Sequence, residues 1–276
     1  MKKLFVGAFA LMAVAFMNAQ ENHDVTTQWG KSNVANVDQH GMKNSNGIKQ
    51  WGDKNDAKVS QFGKENESTI LSMGDKNHET VYQSGMKNNN NSSQDGDGNH
   101  ATTKQYGEFN KVTQKQKGDD NSAYALQCGK RNVATQTQTG DDNDAKSEQY
   151  GNDNKVKQTQ KGNRNDAVAW QNGVRNEISQ NQDGYRNYAK AEQLGYDNEI
   201  TQKQNGNYNK AYADQTGDRN TISQTQIGNS HYTKDTQIGC DNTISVLQES
   251  GNSNGGSCCA PPMPKERCPK GSGGGC

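Results

Sequence analysis

Gln116-Lys117-Gly118-Asp119-Asp120-Asn121-Ser122-Ala123-Tyr124-Ala125-Leu126-Gln127 sets two glutamines eleven residues apart, with a glycine two places and an asparagine five places after the first. The same frame returns at Gln160-Lys161-Gly162-Asn163-Arg164-Asn165-Asp166-Ala167-Val168-Ala169-Trp170-Gln171. Followed in both directions, glutamine recurs every eleven residues from Gln28 to Gln248 at 20 of 21 positions, and only Ser72 departs. Glycine keeps its place from Gly30 to Gly239 without a miss, and asparagine from Asn22 to Asn242 at 20 of 21, with His231 the exception. The unit reads N-x-h-x-s-x-Q-x-G-x-x.

The most regular stretch contains Gln116, Gln127, Gln138, Gln149, Gln160, Gln171, Gln182, Gln193, Gln204 and Gln215. Beside them run Asn121, Asn132, Asn143, Asn154, Asn165, Asn176, Asn187, Asn198, Asn209 and Asn220. The glycines are Gly118, Gly129, Gly140, Gly151, Gly162, Gly173, Gly184, Gly195, Gly206 and Gly217. Six further glutamines, Gln114, Gln136, Gln158, Gln180, Gln202 and Gln224, lie 22 apart, so the full period is a pair of elevens. Alternate units carry small residues (Ala167/Ala169, Ala189/Ala191) or a branched residue with Gln (Ile178/Gln180, Ile200/Gln202), so small faces large across the pair. The first units are looser, as at Asn88 to Ser93, where the third position is not apolar.

An eleven-residue period also suits three turns of a right-handed helical supercoil. Twenty interior glycines would cost such a helix on the order of 20 kcal/mol, with no apolar stripe to offset it. The fixed residues instead occupy the first, third, fifth, seventh and ninth places, the period-two spacing of one strand face. The even places vary freely, as a solvent face allows: the sixth is Lys104, Leu126, Glu148, Trp170, Glu192 and Asp214 in successive rungs. Each eleven is therefore predicted to be a strand of about seven residues closed by a G-x-x turn. Two elevens make one rung of an all-β, parallel β-solenoid with about ten 22-residue repeats. Rungs at about 4.8 Å give a column about 50 Å tall.

A buried amide is costly unless its donors and acceptor are paired, and a column of identical amides at strand spacing can bond each to the next. Stacked carboxylates in the same place would repel, which explains why Glu never replaces the register Gln. Ser72 and His231 are expected weak points. Both ends of such a column are open strand edges, and no capping element is visible in the sequence, so the chain is expected to be a template for head-to-tail addition, with a fibre as the result.

Composition agrees. Only 28% of residues are hydrophobic and 7% aromatic, too few for an ordinary oily core, whereas 35 are Asn and 27 Gln. Lys+Arg and Asp+Glu stand at 31 each, a balance that argues against nucleic acid or a membrane surface as partner. Lys2 and Lys3 precede the apolar run Leu4 to Phe16 and the small-residue site at Ala19, the layout of a secretory signal. The run is too short to cross a bilayer, which takes about 20 residues. The expected organisation is a signal peptide at 1–19, a solenoid at 20–248 and a Gly/Pro/Cys-rich flexible tail at 249–276.

The two quoted stretches resemble the repeat S-x5-Q-x-G-x-x-N-x-A-x3-Q of curlin, the amyloid subunit of curli fibres, and the resemblance runs from 22 to 248. The chain departs in having Asn where that family often has Ser, Gly in both turns, about twice the usual number of repeats, and a cysteine-bearing tail. The resemblance implies an extracellular, cross-β structural subunit of a biofilm and adhesion matrix, exported through an outer-membrane pore with accessory chaperones and started by a nucleator subunit. The partner is the chain itself. Two alternatives stay open: a monomeric solenoid acting as a surface adhesin or ligand-binding module, and the minor nucleating subunit of the same fibre.

Six cysteines in an exported chain invite disulfides. Cys128 and Cys240 lie at variable places about five rungs apart, roughly 24 Å at rung spacing, too far to bond each other. The tail holds Cys258, Cys259, Cys268 and Cys276, which admit disulfide cross-links, unpaired thiols or a metal site, though their spacing fits no standard zinc pattern. Gly273-Gly274-Gly275-Cys276 also has the look of an added linker and thiol. The five histidines show no nucleophile or acid pattern, and no phosphate loop or nucleophile elbow is present, so neither enzyme activity, cofactor nor metal is expected. Trp29 and Trp51, 22 apart, are expected to stack on one outer face, with Met73 next.

Overall fold

A computed structural model describes residues 19–250. The expected leader up to residue 18 and the tail from 251 onward, with Cys258, Cys259, Cys268 and Cys276, lie outside the described residues. Among the described residues the regular elements are all strands. They run β1 (Ala19–Gln20), β2 (His23–Trp29), β3 (Val34–Met42), β4 (Ser45–Trp51), β5 (Asp56–Lys64), β6 (Glu67–Met73), β7 (His78–Met86) and β8 (Asn89–Asp95). Next come β9 (His100–Glu108), β10 (Lys111–Lys117), β11 (Ser122–Lys130), β12 (Val133–Thr139), β13 (Asp144–Asn152), β14 (Lys155–Asn163) and β15 (Asp166–Val174). The last are β16 (Glu177–Tyr185), β17 (Tyr188–Tyr196), β18 (Glu199–Asn207), β19 (Lys210–Asp218), β20 (Thr221–Ile227), β21 (Tyr232–Cys240) and β22 (Thr243–Glu249).

Odd-numbered strands form one eleven-stranded parallel sheet and even-numbered strands the other, each strand pairing with the ones two before and two after it. Register is uniform at 22 residues: Gln116 lies beside Gln138, Gln127 beside Gln149, and Gly129 beside Gly151. The fold is the two-strands-per-rung parallel β-solenoid that period-two spacing predicts, with strands of seven or nine residues rather than a constant seven. Cys128 on β11 and Cys240 on β21 are five rungs apart, and both are engaged in disulfides.

The corner has two left-handed residues. Gly118 has φ 113° and Asp120, at the eleventh place of the unit, has φ 54°. Glycine is required at the first because a Cβ there would be driven into the carbonyl oxygen of Gly140, one rung on. The eleventh place is held by Arg131, Asp142 or Arg164 in other rungs, each with φ near 56°. Such residues pay about 1–2 kcal/mol for the left-handed well, which the hydrogen bonds of the following asparagine offset.

Two layers of side chains close the inside. Ala169, Ala191 and Ala213 of the odd sheet meet Val156, Ile178, Ile200 and Ile222 of the even sheet in one cluster, the small-against-large pairing expected from the alternating units. A second cluster, Ile48, Ala57, Val59, Ile70 and Val81, fills the first rungs. The rest of the interior is amide: Gln116, Asn121, Gln127 and their column partners are almost wholly excluded from solvent.

Candidate functional site

The glutamine columns are continuous hydrogen-bonded chains. In the even sheet Gln116 Nε2 donates to Gln138 Oε1 at 3.0 Å, Gln138 to Gln160 at 2.9 Å, Gln160 to Gln182 at 3.0 Å and Gln182 to Gln204 at 2.9 Å. In the odd sheet Gln127 donates to Gln149 at 2.8 Å, and the chain goes on through Gln171, Gln193 and Gln215. The six extra glutamines form a third chain, with Gln136 donating to Gln158 at 2.8 Å and Gln158 to Gln180 at 2.9 Å. Most of these amides also use their second N–H, which the repeat pattern did not reveal: Gln160 Nε2 reaches the Asp144 carbonyl at 2.7 Å and Gln149 Nε2 the Val133 carbonyl at 3.1 Å. The glutamines thus tie the sheets together across the core as well as up the axis.

The asparagines form the expected amide column, with Asn143 Nδ2 donating to Asn121 Oδ1 at 3.0 Å, and they bind the backbone as well. Asn143 N–H donates to Asn121 Oδ1 one rung back at 3.1 Å, while Asn143 Nδ2 donates to the carbonyl of Gly162 at 2.7 Å. Asn121, Asn132, Asn187 and Asn198 repeat the second bond to Gly140, Gly151, Gly206 and Gly217 at 2.6–2.8 Å. Asparagine and glycine columns are therefore one system, in which each side chain takes up backbone groups that the corner leaves unpaired.

The two irregular register positions behave unequally. Ser72 cannot reach Gln50, whose Nε2 is buried without a partner, and its own hydroxyl meets Gln94 Oε1 only at 3.4 Å. His231, expected to interrupt the asparagine column, continues it. Its N–H donates to Asn209 Oδ1 at 2.9 Å, and its Nε2 lies 3.0 Å from the Ile227 carbonyl oxygen, the place of an asparagine Nδ2.

A weakness that the repeat analysis missed lies beside Ser72. Glu79 occupies the third place of its unit, between Ala57 and Ala101, and is wholly buried. One carboxyl oxygen accepts from Ser92 Oγ at 2.7 Å, and the other has no partner. Asn90 has neither side-chain atom satisfied, and Asn46 Oδ1 and Ser68 Oγ are likewise unpartnered. Burial pushes the Glu79 carboxyl up to about 8, against a smaller lowering effect of Ser92. The signal was present in the sequence as a Glu where neighbouring units carry Ala.

Outside, identical spacing lines up rings and charges. Trp29 and Trp51 stack at 5.3 Å and 8°. His40, Phe62, Tyr82 and Tyr106 make a second stack with centroids 5.1–5.6 Å apart. The eleventh places that follow the odd strands alternate in sign except at Phe109: Lys43 pairs with Glu21 at 3.3 Å, Lys87 with Glu65 at 3.4 Å, and Arg131, Arg175 and Arg219 with Asp153, Asp197 and Asp241 at 2.6 Å. The Arg131 guanidinium hydrogen-bonded to Asp153 holds that carboxyl below the usual range. Being exposed, each pair is screened by solvent and contributes little to stability.

All three glutamine chains have the same polarity, with each Nε2 donating toward the C-terminal end. At that end Gln237 accepts from Gln215 at 2.9 Å, while its own Nε2 is buried with no partner. Among the described residues β22 pairs only with β20 and β2 only with β4, so both ends of the even sheet show an unpaired edge. What this arrangement offers chemically is donors at one end, acceptors at the other, and a strand edge at each.

Corners, amide chains and 22-residue register together define an amide-laddered β-solenoid with two strands per rung. A family model described as the curlin associated repeat matches residues 30–63, 118–151 and 195–228, so the chain carries curlin-family repeats in those three windows. Comparison with curated proteins found no match. This fold and family are structural rather than enzymatic.

Two outcomes follow from the irregular rungs. Ser72→Gln completes the even-sheet column and supplies Gln50 Nε2 with an acceptor, which should raise stability by about 1–2 kcal/mol; a urea midpoint at or below that of the parent counts against the ladder. Glu79 holds its proton more tightly folded than unfolded, so its contribution is fully present below about 4.5, the ordinary value, and is lost as pH rises toward about 8. The opening free energy of the β7 amides, from hydrogen exchange corrected for its intrinsic rise with pH, should fall across that window in the parent and be level with pH in Glu79→Gln, which has no carboxyl to ionise.

Proposed function

We propose that this chain is a secreted structural subunit that adds head to tail, forming extracellular curli-like amyloid fibres that build biofilm matrix and hold cells to surfaces. The observation that carries the reading is the polarity of the amide chains. The buried Gln237 Nε2 ends the odd-sheet column without an acceptor, and Gln39, which opens that same column by donating to Gln61 at 2.7 Å, receives no amide hydrogen bond at its Oε1 among the described residues. A second copy of the same chain supplies the missing strand edge and the missing amide together. A small partner would have to match a 4.8 Å backbone repeat and an amide at the same place, which an identical rung does by construction.

On this reading residues 1–19 direct export, 20–248 are the polymerising unit and 249–276 a tail outside it. The pore, the chaperones and the nucleator follow from family resemblance. Length and regularity favour the major subunit over the nucleating one.

The purified mature chain, incubated in reducing and in oxidising buffer, should form unbranched fibres with reflections near 4.8 Å and about 10 Å, after a lag that preformed seeds shorten. Gln160→Ala/Gln182→Ala/Gln204→Ala should slow seeded elongation at least about tenfold, the equivalent of losing one to two hydrogen bonds at about 1 kcal/mol each. The outward triple Thr159→Ala/Asn181→Ala/Lys203→Ala should elongate at nearly the parent rate. A persistent, seed-insensitive monomer would instead point to a solenoid adhesin, and equal rates for the two triples would remove the ladder from the assembly step.

A further inference from the structure

The two outer faces differ in chemistry. Around β13, β15 and β17 the odd face carries four carboxylates, Asp144, Glu148, Asp166 and Glu192, with two lysines, Lys146 and Lys190. Trp170 sits between Glu148 and Glu192 in one column, each a rung away. Together with Val168 it floors a shallow groove of about 380 Å³, whose sides are the pairs Lys146–Glu148 at 2.9 Å and Lys190–Glu192 at 2.8 Å. Asp166 is under pressure here, because partial burial and the neighbouring Asp144 charge push its carboxyl up to about 6. A cation brought to this face would relieve that repulsion.

The even face across β10, β12 and β14 carries six lysines and no acid: Lys111, Lys115, Lys117, Lys155, Lys157 and Lys161. All six are exposed. Lys155 pairs with Glu177 at 2.7 Å, whereas neither Lys117 nor Lys161 has an acidic partner among the described residues. They stand two rungs apart with Thr139 between them, as Glu148 and Glu192 stand two rungs apart with Trp170 between them. Both intervals are set by the same strand spacing, about 9.6 Å.

We infer that the odd face of one copy is the docking surface for the even face of a second copy, the column Glu148, Trp170, Glu192 receiving the column Lys117, Thr139, Lys161. Sheets stack face to face at about 10 Å, within reach of lysine and glutamate side chains meeting across the gap. Lysines facing the acids also lie beside the indole, where cation–π attraction adds to the ion pairs, and the Thr139 methyl has the ring to cover. Because the contact is between different faces, it does not close: each copy uses its odd face toward one neighbour and its even face toward the next, and filaments gather into layers. Isolated surface pairs contribute little, but in parallel filaments the same contact recurs at every subunit, so it adds up along the length. The layering rests on the fibre reading above; the face-to-face contact itself does not.

The test separates the two. Parent filaments grown from seeds are imaged by electron microscopy from about 0.01 M to about 1 M ionic strength, over which the screening length falls from about 30 Å to about 3 Å. The expected result is layered bundles at low salt and single filaments at high salt. Lys117→Glu/Lys161→Glu and, separately, Glu148→Lys/Glu192→Lys should give single filaments even at low salt, with seeded elongation within about twofold of the parent. Mixing the two variants should restore bundling, since each then meets an oppositely charged face. Bundling that ignores salt, survives in either variant, or fails to return in the mixture overturns the proposal. If no filaments form, the fibre reading fails. Sedimentation of the folded chain at low salt then reads the contact directly: association in the parent but in neither variant supports it, and a monomer in all three overturns it.

Discussion

A primary amide removed from water must find partners for two N–H groups and a carbonyl, and leaving one unpaired costs about 1–3 kcal/mol. This protein accepts that requirement some forty times over, with 19 Asn and 23 Gln buried among the described residues against 21 buried hydrophobic side chains, most of them alanine or valine. The only economical answer is translation. If each amide is followed 22 residues later by an identical one, the acceptor for every donor comes with the fold, as in the chain from Gln116 through Gln138 to Gln160. Uniform register, glycine at the ninth place and parallel pairing follow from that condition, because a slip of one residue would turn every glutamine to solvent and leave the carbonyls inside without donors.

The asparagine–glycine system shows how the corner is made compatible with the translation. Glycine is needed because the next carbonyl passes too close for a Cβ, and asparagine because the corner leaves backbone groups that only a short amide can reach. His231 supports this view of the asparagine's task. The backbone N–H there keeps the bond to Asn209 Oδ1 and the imidazole Nε2 stands 3.0 Å from the Ile227 carbonyl oxygen, so what the position asks of its side chain is a nitrogen at the right distance. Ser72 makes the complementary point, since a hydroxyl is too short for the glutamine's span and the vacated bond falls on Gln50. The unpartnered atoms concentrate between β4 and β8, where the third place is Asn46, Ser68 or Asn90 rather than valine or isoleucine. These rungs bury unpartnered polar groups beside their apolar cluster and are the part of the column best suited to open first.

Much of this was legible in the residues. Odd places fixed and even places free can be read without a structure, because side chains on a strand alternate strictly and identical rungs leave no other phase. The small-against-large core was readable for the same reason. The second donor of most glutamines was not, because it ends on carbonyls of whatever residue opens the facing strand, Asp144 in one rung and Val133 in another, and backbone groups leave no mark on the sequence. Left-handed φ at Asp120 or Arg131 was hidden for a similar reason, since residue type does not report it there. Glu79 and the alternating column from Glu21 to Asp241 were in plain view, yet they are departures or variable places, and attention to what repeats passes over them. The family model touches three windows, whereas the amide chains run through nearly every rung, so hydrogen bonding defines the extent of the repeat better than residue likeness does.

Direction is the last consequence of building with amides. A column of Ala or Ile is the same from either end, but a chain in which every Nε2 donates toward the C-terminus has an acceptor end and a donor end. Two copies meeting donor end to donor end would bury Gln237 Nε2 against another N–H, with no carbonyl between them. The same holds for the strand edges, since a parallel sheet continued by an inverted copy would change its hydrogen-bond pattern at the junction. Addition is therefore restricted to one orientation by the core as well as by the backbone. The outer faces keep the rung interval as well: Lys117 and Lys161 stand two rungs apart, as Glu148 and Glu192 do, so a contact made once recurs at every subunit along two filaments.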